Sequence, residues 1–458
     1  FSIEALDTIF HSLDTGALWY IPIIILICLP FEWFKKSISN MGKSTKKNIF
    51  LNRFIIYCFL ILIPIDSYDP IISFFRSGIY HHFSSIQLEK RVTSNDFVMD
   101  RISNDFLSGT LSKNREKTPP IFLIVCESLN ADYIDRFENN KPVTPFLNQL
   151  KKTTIYAPIF YGNSIQTAKG HFATYFSTTP CLTGKTFVNY KQLKIKSIAS
   201  ILREVGYHTI YFNAHNNHNF DNVSSFVTHR GYDHFLTVKP FLKREDQQYQ
   251  LRWGVEDKVF FKRFFDYYDT VYKVKNTSKP LFVTLATIAN HFSFNSLPKN
   301  RRLIYPETKK WTEGLRQNYA NSLRLTDQGI ETFFQELKKR PELKNSIVII
   351  TGDHAFPLGK HGNYNLESGY HEDSFRIPLF IAWPGVLKTK TLKKAASQLD
   401  IGPTIIDLLA IKGKKTNFQG QSIFKDNNPY IPLIQPYGKH LSVVHYPLKY
   451  RYNTRLKK

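Results

Sequence analysis

Four short apolar runs, each followed by side chains that can bind a metal or a phosphate, constrain this chain most. The runs are IFLIVC (121–126), HTIYFN (208–213), LFVTLATI (281–288) and SIVIITG (346–352). Runs of this length, rich in β-branched residues and bounded by Pro, Gly or charge, are typical of strands buried on both faces. A fifth run is PLFIAW (378–383). Helical stretches lie between the runs at 198–206 and 313–340, and another follows the fifth run at 400–410. This alternation predicts an α/β fold with a mostly parallel central sheet flanked by helices.

The polar side chains after four of these strands predict a metal site. Ligands of open parallel sheets bind at the carboxyl ends of the strands, where these side chains would meet. Carboxylate oxygens and imidazole nitrogens together suit Mn²⁺ or Zn²⁺. Taken singly, each residue is more often a solvated loop residue. The side chains are Glu127, His215, Asn217, His291, Asp353 and His354.

Thr167 is a candidate nucleophile. It follows the turn residues Gly162, Asn163 and Ser164 and precedes HFATYFS (171–177), which has the pattern of a helix. A helix N-terminus favours negative charge, such as an alkoxide or a phosphate. A bound metal that lowers the pKa of the hydroxyl would make Thr167 a nucleophile. The alternative is an ordinary helix cap.

Residues 1–66 are predicted to form a membrane segment with two transmembrane helices. The apolar runs are ALWYIPIIILICLPF (17–31) and FIIYCFLILIPI (54–65), and the loop between them is rich in lysine. Because positive loops stay in the cytoplasm, everything after residue 65 is expected outside the cytoplasmic membrane. Two buried core helices are the alternative. Residues 67–118 read as a connector, and the start at Phe1 without a secretory cleavage site leads us to expect a fragment.

The excess of basic residues predicts an anionic partner. Lys and Arg outnumber Asp and Glu by 61 to 37, a formal net charge of +24. An extracytoplasmic domain excludes most nucleic-acid roles, so an anionic phospholipid or its headgroup fits better. The basic C-terminal tail, residues 431–458, interleaves Lys and Arg with Tyr and could lie on a membrane surface, although a solvated tail is the plainer interpretation. Four Cys without a CxxC pair exclude a disulfide scaffold, a zinc ribbon and a thioredoxin-like site.

Eight segments in order resemble the lipoteichoic acid synthase-like branch of the sulfatase and alkaline phosphatase superfamily, the membrane phosphoglycerol transferases. The similarity runs over about 120–425, so we expect a sulfatase-like catalytic domain at 119–430. The segments are FLIVCES (122–128), FYGNSIQTAKG (160–170), NFDNVSSFVTHRGYDHF (219–235), WGVEDKVFF (253–261), IANHFSF (288–294), IVIITGDH (347–354), RIPLFIAWPG (376–385) and QLDIGPTIIDLL (398–409).

The resemblance implies one divalent cation, Mn²⁺ or Zn²⁺, held by Glu127, Thr167, Asp353 and His354. It also implies that Thr167 is the catalytic nucleophile and that His291 is a substrate-side histidine, for which we predict a role in proton transfer.

The resemblance places His215 where relatives contact the phosphoglycerol. We expect Asn217, Asp221 and His361 to line the same pocket. For GKHG (359–362) around His361, the alternative is an ordinary surface turn. The sequence departs from the branch at VSS (223–225), where some relatives carry an Arg, so we assign no phosphate clamp to this segment. The Cys or Ser motif that sulfatases need for formylglycine is missing around Cys126 and Cys181, which argues against sulfate-ester hydrolysis.

We therefore expect a multi-pass enzyme of the cytoplasmic (inner) membrane with an extracytoplasmic or periplasmic catalytic domain. It would move a phosphoglycerol-type headgroup from a phospholipid, through a phosphothreonine intermediate, to an extracytoplasmic glycan or lipid acceptor. One alternative is a phosphoethanolamine transferase, although such relatives usually carry several disulfides. The others are a sulfatase-like hydrolase of phosphate or sulfate esters and a non-enzymatic binder of anionic polymer or lipid.

Overall fold

The structure is a computed structural model that describes residues 118–275, 279–309, 311–367, 369–425, 429–437 and 439–454, together with a short strand at 95–96. The described residues belong to the unit Lys90–Lys458. The predicted membrane helices at 17–31 and 54–65, and nearly all of the predicted connector, lie outside them. Within the described ranges, no helix combines the length and apolar character that crossing a bilayer requires.

A nine-stranded sheet forms the centre of the fold, with strand order β11-β5-β10-β9-β2-β8-β6-β7 and with β12 also paired to β5. The strands in chain order are β1 (Asn95–Asp96), β2 (Ile121–Cys126), β3 (Phe137–Glu138), β4 (Lys141–Pro142), β5 (Ile155–Tyr161), β6 (His208–Asn213), β7 (His234–Thr237), β8 (Leu281–Ala286), β9 (Ile347–Gly352), β10 (Arg376–Ala382), β11 (Lys390–Thr391), β12 (Ala396–Ser397), β13 (Lys415–Thr416), β14 (Ile431–Gln435), β15 (His440–His445) and β16 (Leu448–Asn453). The predicted α/β fold is confirmed, and β2 and β9 are both central.

The strands β2, β8 and β9 are buried along their whole length, which explains their uninterrupted apolar sequences. In this sheet only β10 runs against the others, pairing antiparallel with both β9 and β5. A parallel neighbour of β9 would need a long crossover. The segment 353–375 between β9 and β10 contains only short 3-10 turns in its described part, so the chain returns as an antiparallel strand.

Strand β5 was not predicted, because Pro158 interrupts its apolar sequence. A proline inside a sheet removes a ladder hydrogen bond and is tolerated at bulges. The register of β5 against β10 shifts between Ile377 and Leu379, opposite Pro158, so the structure accommodates the proline at an irregularity.

Helices cover both faces of the sheet. Alternate residues of β2 point to opposite faces, so Leu123 packs into one hydrophobic cluster and Ile124 into the other. The first cluster includes helices α2, α4, α5 and α9, and the second includes α1, α6 and α8. The helices are α1 (Pro145–Leu150), α2 (Thr167–Phe176), α3 (Thr186–Asn189), α4 (Ile198–Glu204), α5 (Val223–Thr228), α6 (Asp257–Tyr267), α7 (Lys273–Lys275), α8 (Trp311–Lys338) and α9 (Ile401–Leu408).

The segment that the sequence sets apart as a basic tail forms a three-stranded antiparallel sheet, β14-β15-β16, over residues 431–453. Its inner face buries Leu433 and Val444 in a cluster with Tyr161. The inward positions of β16 are Lys449 and Arg451, which lie over the rings of aromatic residues, so no apolar alternation marks this strand in the sequence.

Candidate metal centre and catalytic site

Glu127, Thr167, Asp353 and His354 meet at one edge of the central sheet. Glu127 follows β2, and Asp353 and His354 follow the adjacent parallel strand β9. His354 Nε2 lies 3.6 Å from Glu127 Oε1, 3.5 Å from Asp353 Oδ2 and 3.3 Å from Thr167 Oγ1. The potential ligand atoms of Glu127, Asp353 and His354 all lie within 4.8 Å of one another, and the three residues are buried.

Backbone amides hold one oxygen of Asp353 and leave the other facing the group. The amides of Ser128 and His354 donate to Asp353 Oδ1 at 2.8 and 2.7 Å. Asp353 Oδ2 is buried and accepts no hydrogen bond. Ser128, in the left-handed region at φ 51°, also donates through its hydroxyl to Glu127 Oε1 at 2.8 Å. A buried carboxylate oxygen without a donor is expected where a cation would bind.

Helix α2 begins at Thr167 and contacts the end of β9 closely. A Cβ atom on Gly170 would lie 2.0 Å from the carbonyl oxygen of Asp353. The absence of a side chain at position 170 therefore allows the first turn of α2 to reach Asp353, and this contact sets the position of the Thr167 hydroxyl.

The donor set of this group fits a divalent cation. His354 Nδ1 lies 2.8 Å from the carbonyl oxygen of Ala355, which keeps the proton on Nδ1 and turns the Nε2 lone pair toward the carboxylates. Burial, and then the neighbouring Asp353, raise the pKa of Glu127 well above its usual range. A bound cation would offset the electrostatic repulsion between the two buried carboxylates. Carboxylate, imidazole and hydroxyl ligands together suit Mn²⁺ or Zn²⁺.

Two of the predicted substrate-side histidines flank Trp253. Its ring centroid lies 5.8 Å from that of His215 and 5.3 Å from that of His291. His291 Nδ1 is 2.6 Å from the carbonyl oxygen of Phe292. Burial lowers the pKa of His291 to about 4, and charges on His354, His215 and Asp353 also act on it. His291 is therefore neutral at neutral pH, with Nε2 as a proton acceptor.

His215 carries its proton on the other ring nitrogen. Its Nδ1 accepts a hydrogen bond from the amide of Asn217 at 2.8 Å, so the neutral ring carries its proton on Nε2. Its ring stacks on Phe220 at 4.5 Å. The side-chain oxygen of Asn217 accepts from the amide of Asn219 at 2.9 Å, so in this structure Asn217 shapes the loop around His215.

Asp221 and His361 are placed differently from these two histidines. Asp221 Oδ1 pairs with Lys185 Nζ at 2.6 Å. His361 is exposed, adopts φ 58° in a turn, and stacks on His371 with ring centroids 4.3 Å apart. Among the described residues neither belongs to the group around His354. The segment 223–225, where some relatives would carry an Arg, forms the first turn of α5.

Sequence reasoning did not identify several residues near the centre. His171 lies one turn after Thr167 on α2, where burial lowers its pKa to about 4 and charges on Asp353 and His354 also act on it. Gln398 Nε2 donates to the carbonyl oxygen of Asp353 at 2.7 Å, and its Oε1 accepts from the amide of Asn163 at 2.9 Å. The QLDIGP segment contained this glutamine, but only the tertiary structure shows that it links the loop before Thr167 to the residue that follows β9.

A family model described as Sulfatase matches residues 119–411. Lipoteichoic acid synthase 2 of Bacillus subtilis is 28% identical over 326 residues, which cover 68% of this chain and 48% of that protein. Lipoteichoic acid synthase of Staphylococcus saprophyticus is 26% identical over 375 residues, 77% of this chain and 56% of that protein. The chain thus spans about half the length of the curated relatives that it matches.

Solved structures share the fold. The lipoteichoic acid synthase LtaP from Listeria monocytogenes has a TM-score of 0.65 at 22% identity, covering 78% of this chain and 88% of that one. A protein of the alkaline phosphatase superfamily from Vibrio parahaemolyticus has a TM-score of 0.59 at 20% identity, covering 80% and 87%. The periplasmic domain of EptC from Escherichia coli has a TM-score of 0.52 at 14% identity, covering 76% and 97%. The fold is that of the alkaline phosphatase superfamily, and the chain belongs to the sulfatase family.

Proposed function

We propose that this chain is a membrane-anchored, metal-dependent transferase. It moves a phosphoglycerol-type headgroup from an anionic phospholipid to an extracytoplasmic glycan or lipid acceptor. The observation that carries the proposal is the position of Thr167 Oγ1, 3.3 Å from His354 Nε2, at the edge of a buried group of two carboxylates and one imidazole. Similarity to lipoteichoic acid synthases supports the same reaction class.

Glu127, Asp353 and His354, with the Thr167 hydroxyl, would hold one divalent cation, Mn²⁺ or Zn²⁺. When bound, such a cation neutralises charge and lowers the pKa of a hydroxyl ligand. Displacement at phosphorus depends mainly on positioning and charge neutralisation. The residues at this edge of the sheet are held by backbone hydrogen bonds and by the close packing of α2, so the protein supplies the positioning.

In the first step Thr167 Oγ forms a bond to phosphorus, and the bond between phosphorus and the diacylglycerol oxygen breaks. The products are a phosphothreonine diester that carries the headgroup and a free diacylglycerol, which takes up the threonine proton. In the second step the acceptor hydroxyl attacks phosphorus and Thr167 Oγ leaves. His291 Nε2 accepts the acceptor proton and passes it to the departing Thr167 oxygen, which restores the threonine hydroxyl. His215 Nε2–H donates to a phosphoryl oxygen.

Phosphoethanolamine transfer is the second candidate, because it would use the same group of Glu127, Thr167, Asp353 and His354. The chemistry at phosphorus would be the same, and only the headgroup would differ. Cys126 and Cys181 are free cysteines in the described part of the chain, so this domain shows none of the disulfides that such transferases usually carry. Phosphate-ester hydrolysis would differ only in using water as the acceptor.

The donor lipid decides between these candidates. Purified full-length protein with Mn²⁺ would be incubated with vesicles whose single labelled lipid carries either a glycerol or an ethanolamine headgroup. We expect diacylglycerol release from the glycerol lipid and not from the ethanolamine lipid. Release from the ethanolamine lipid alone would assign the chain to the second candidate, and release in which water is the only acceptor would make it a hydrolase.

A further inference from the structure

The C-terminal sheet carries an unusual concentration of exposed apolar side chains. In the described part of the chain ten large hydrophobic side chains are exposed, and six of them fall between positions 430 and 452. Large apolar patches on a protein surface mark interaction sites, whereas single exposed residues need no explanation. The six residues are Tyr430, Val443, Tyr446, Leu448, Tyr450 and Tyr452.

Most of these side chains share one face of the sheet, which we call the outer face. Leu448, Tyr450 and Tyr452 alternate along β16 and therefore point the same way, with exposed fractions of 57%, 61% and 46%. In the antiparallel pairing Val443 lies opposite Tyr450, and Leu441 lies opposite Tyr452. Strand β16 is also an edge strand, a position that folded proteins usually protect with charge or with a covering element.

The charges of this segment indicate which partner the outer face would meet. Residues 429–458 contain six Lys or Arg and no Asp or Glu. Tyrosine is enriched at membrane–water interfaces, because its ring is apolar and its hydroxyl remains hydrated. Basic residues near a membrane surface are attracted to anionic lipid headgroups. A tyrosine-rich face on a segment without a single acidic residue therefore matches an anionic bilayer surface.

The C-terminal sheet is hydrogen-bonded directly to the loop that precedes Thr167. The amide of Ile434 donates to the carbonyl oxygen of Asn163 at 2.9 Å, and the Ser164 hydroxyl donates to the carbonyl oxygen of Ile434 at 3.0 Å. Gln166 Nε2 donates to the Tyr437 hydroxyl at 3.0 Å. A surface that contacts the outer face is consequently held at a fixed offset from Thr167.

We propose that the outer face of the β14-β15-β16 sheet docks on an anionic lipid bilayer and so presents Thr167 to the headgroups of that surface. The docking itself stands on the exposed outer face and on the net positive charge of residues 429–458, while the delivery of headgroups to Thr167 rests on the proposed function. A glycan, a second copy of the chain or the N-terminal segment of the chain itself are the other possible occupants.

Depth-dependent quenching tests the docking. Tyr450→Cys or Tyr452→Cys would be introduced into full-length protein that carries Cys181→Ser. The new cysteine would be coupled to an environment-sensitive label, and the protein would be reconstituted in phosphatidylglycerol–phosphatidylcholine vesicles. Phe137→Cys and Val274→Cys, at positions 65% and 74% exposed on other elements, are matched controls. Nitroxide on lipid headgroups is expected to quench labels at 450 and 452 several-fold more than labels at 137 and 274.

Equal quenching at all four positions would overturn the proposal. The proposal would also fail if the labels at 450 and 452 were already shielded from solvent in detergent and were not quenched by nitroxide lipids. The N-terminal segment or a second copy of the chain would then cover the outer face. Protection by a soluble glycan without quenching in vesicles would assign the face to the acceptor and would also overturn it.

A kinetic readout separates docking from chemistry. Tyr450→Ser combined with Tyr452→Ser should raise the KM for a vesicle-borne donor several-fold, and leave kcat and the reaction with a water-soluble short-chain donor unchanged. An unchanged KM would contradict the delivery of headgroups. If the labels are quenched but Thr167 is never modified, the docking stands and the proposed function fails.

Discussion

At the scale of single residues, the site depends on where protons lie. Contacts with backbone carbonyls fix the Nδ1 protons of His354 and His291, and a backbone amide fixes the Nε2 proton of His215. Sequence reasoning selected all three histidines as candidates, because each follows a buried strand. It could not assign their tautomers, which depend on local backbone geometry, or identify His171, which lies on the inner side of a helix.

Glu127→Gln should abolish the response to metal. The substitution removes one carboxylate from a buried pair, so we expect a loss of at least about 100-fold in Mn²⁺ affinity. Mn²⁺ should then no longer raise the melting temperature, measured by differential scanning fluorimetry. In metal-free buffer the variant should be at least as stable as the wild type, because repulsion with Asp353 is reduced.

Glu331→Gln, a change at an exposed position of α8, is the control and should keep the full response. A Glu127→Gln protein that still gains stability from Mn²⁺ would show that Glu127 is not a ligand.

Asp257 should make the stability of the metal-free protein depend on pH. Its buried carboxylate accepts from Thr326 Oγ1 at 2.8 Å, and burial raises its pKa to about 7. The folded state therefore holds a proton that the unfolded state loses near the ordinary pKa of about 3.9. The stabilising contribution is complete below that pH and is lost as the pH rises through about 7.

Asp257→Asn should remove this part of the decline in unfolding free energy between about pH 4 and pH 7, measured by urea denaturation. Glu331→Gln, at an exposed position of α8, serves as the control in the same denaturation series. An unchanged slope in Asp257→Asn would mean that the carboxyl group titrates alike in both states.

At the scale of elements, the contact between α2 and β9 places the Thr167 hydroxyl beside Glu127, Asp353 and His354. The strands on either side of the site were predictable because full burial leaves uninterrupted apolar runs. Strand β5 and the C-terminal sheet were not, because a proline interrupts the first and because cations over aromatic rings occupy the inward positions of β16.

Gly170→Ala should separate α2 from β9. Its Cβ would lie 2.0 Å from the Asp353 carbonyl oxygen, a backbone atom that cannot turn aside. We expect transfer activity to fall by at least about 100-fold, since a displacement of about 1 Å can cost that much in rate. Unfolding free energy should fall by about 1–3 kcal/mol, in the range of overpacked cores.

The matched control is Gly162→Ala, whose Cβ would face Ser164 and Asp353 at 3.3 and 3.5 Å. It should retain most activity in the same assay. Full activity in Gly170→Ala would mean that the helix position does not determine the alignment of Thr167.

At the scale of the whole molecule, the proposal requires the catalytic domain to lie outside the cytoplasmic membrane. The lysine-rich loop at 35–48 is predicted to face the cytoplasm. In a Cys181→Ser background, Asn40→Cys should therefore react with a membrane-impermeant maleimide only after the cells are permeabilised. Lys152→Cys, at an exposed position of the catalytic domain, is the control and should react in intact cells. Labelling of position 40 from outside would reverse the topology.

Mass spectrometry of the peptide that contains Thr167 tests the central claim most directly. Full-length protein with Mn²⁺ would be incubated with phosphatidylglycerol vesicles without acceptor, quenched in acid and digested. Thr167 should carry the mass of one phosphoglycerol group, the adduct should disappear when acceptor is added, and Thr167→Ala should lose at least about 10³-fold in transfer rate. Substantial transfer by Thr167→Ala, or an adduct on another residue, would contradict the account.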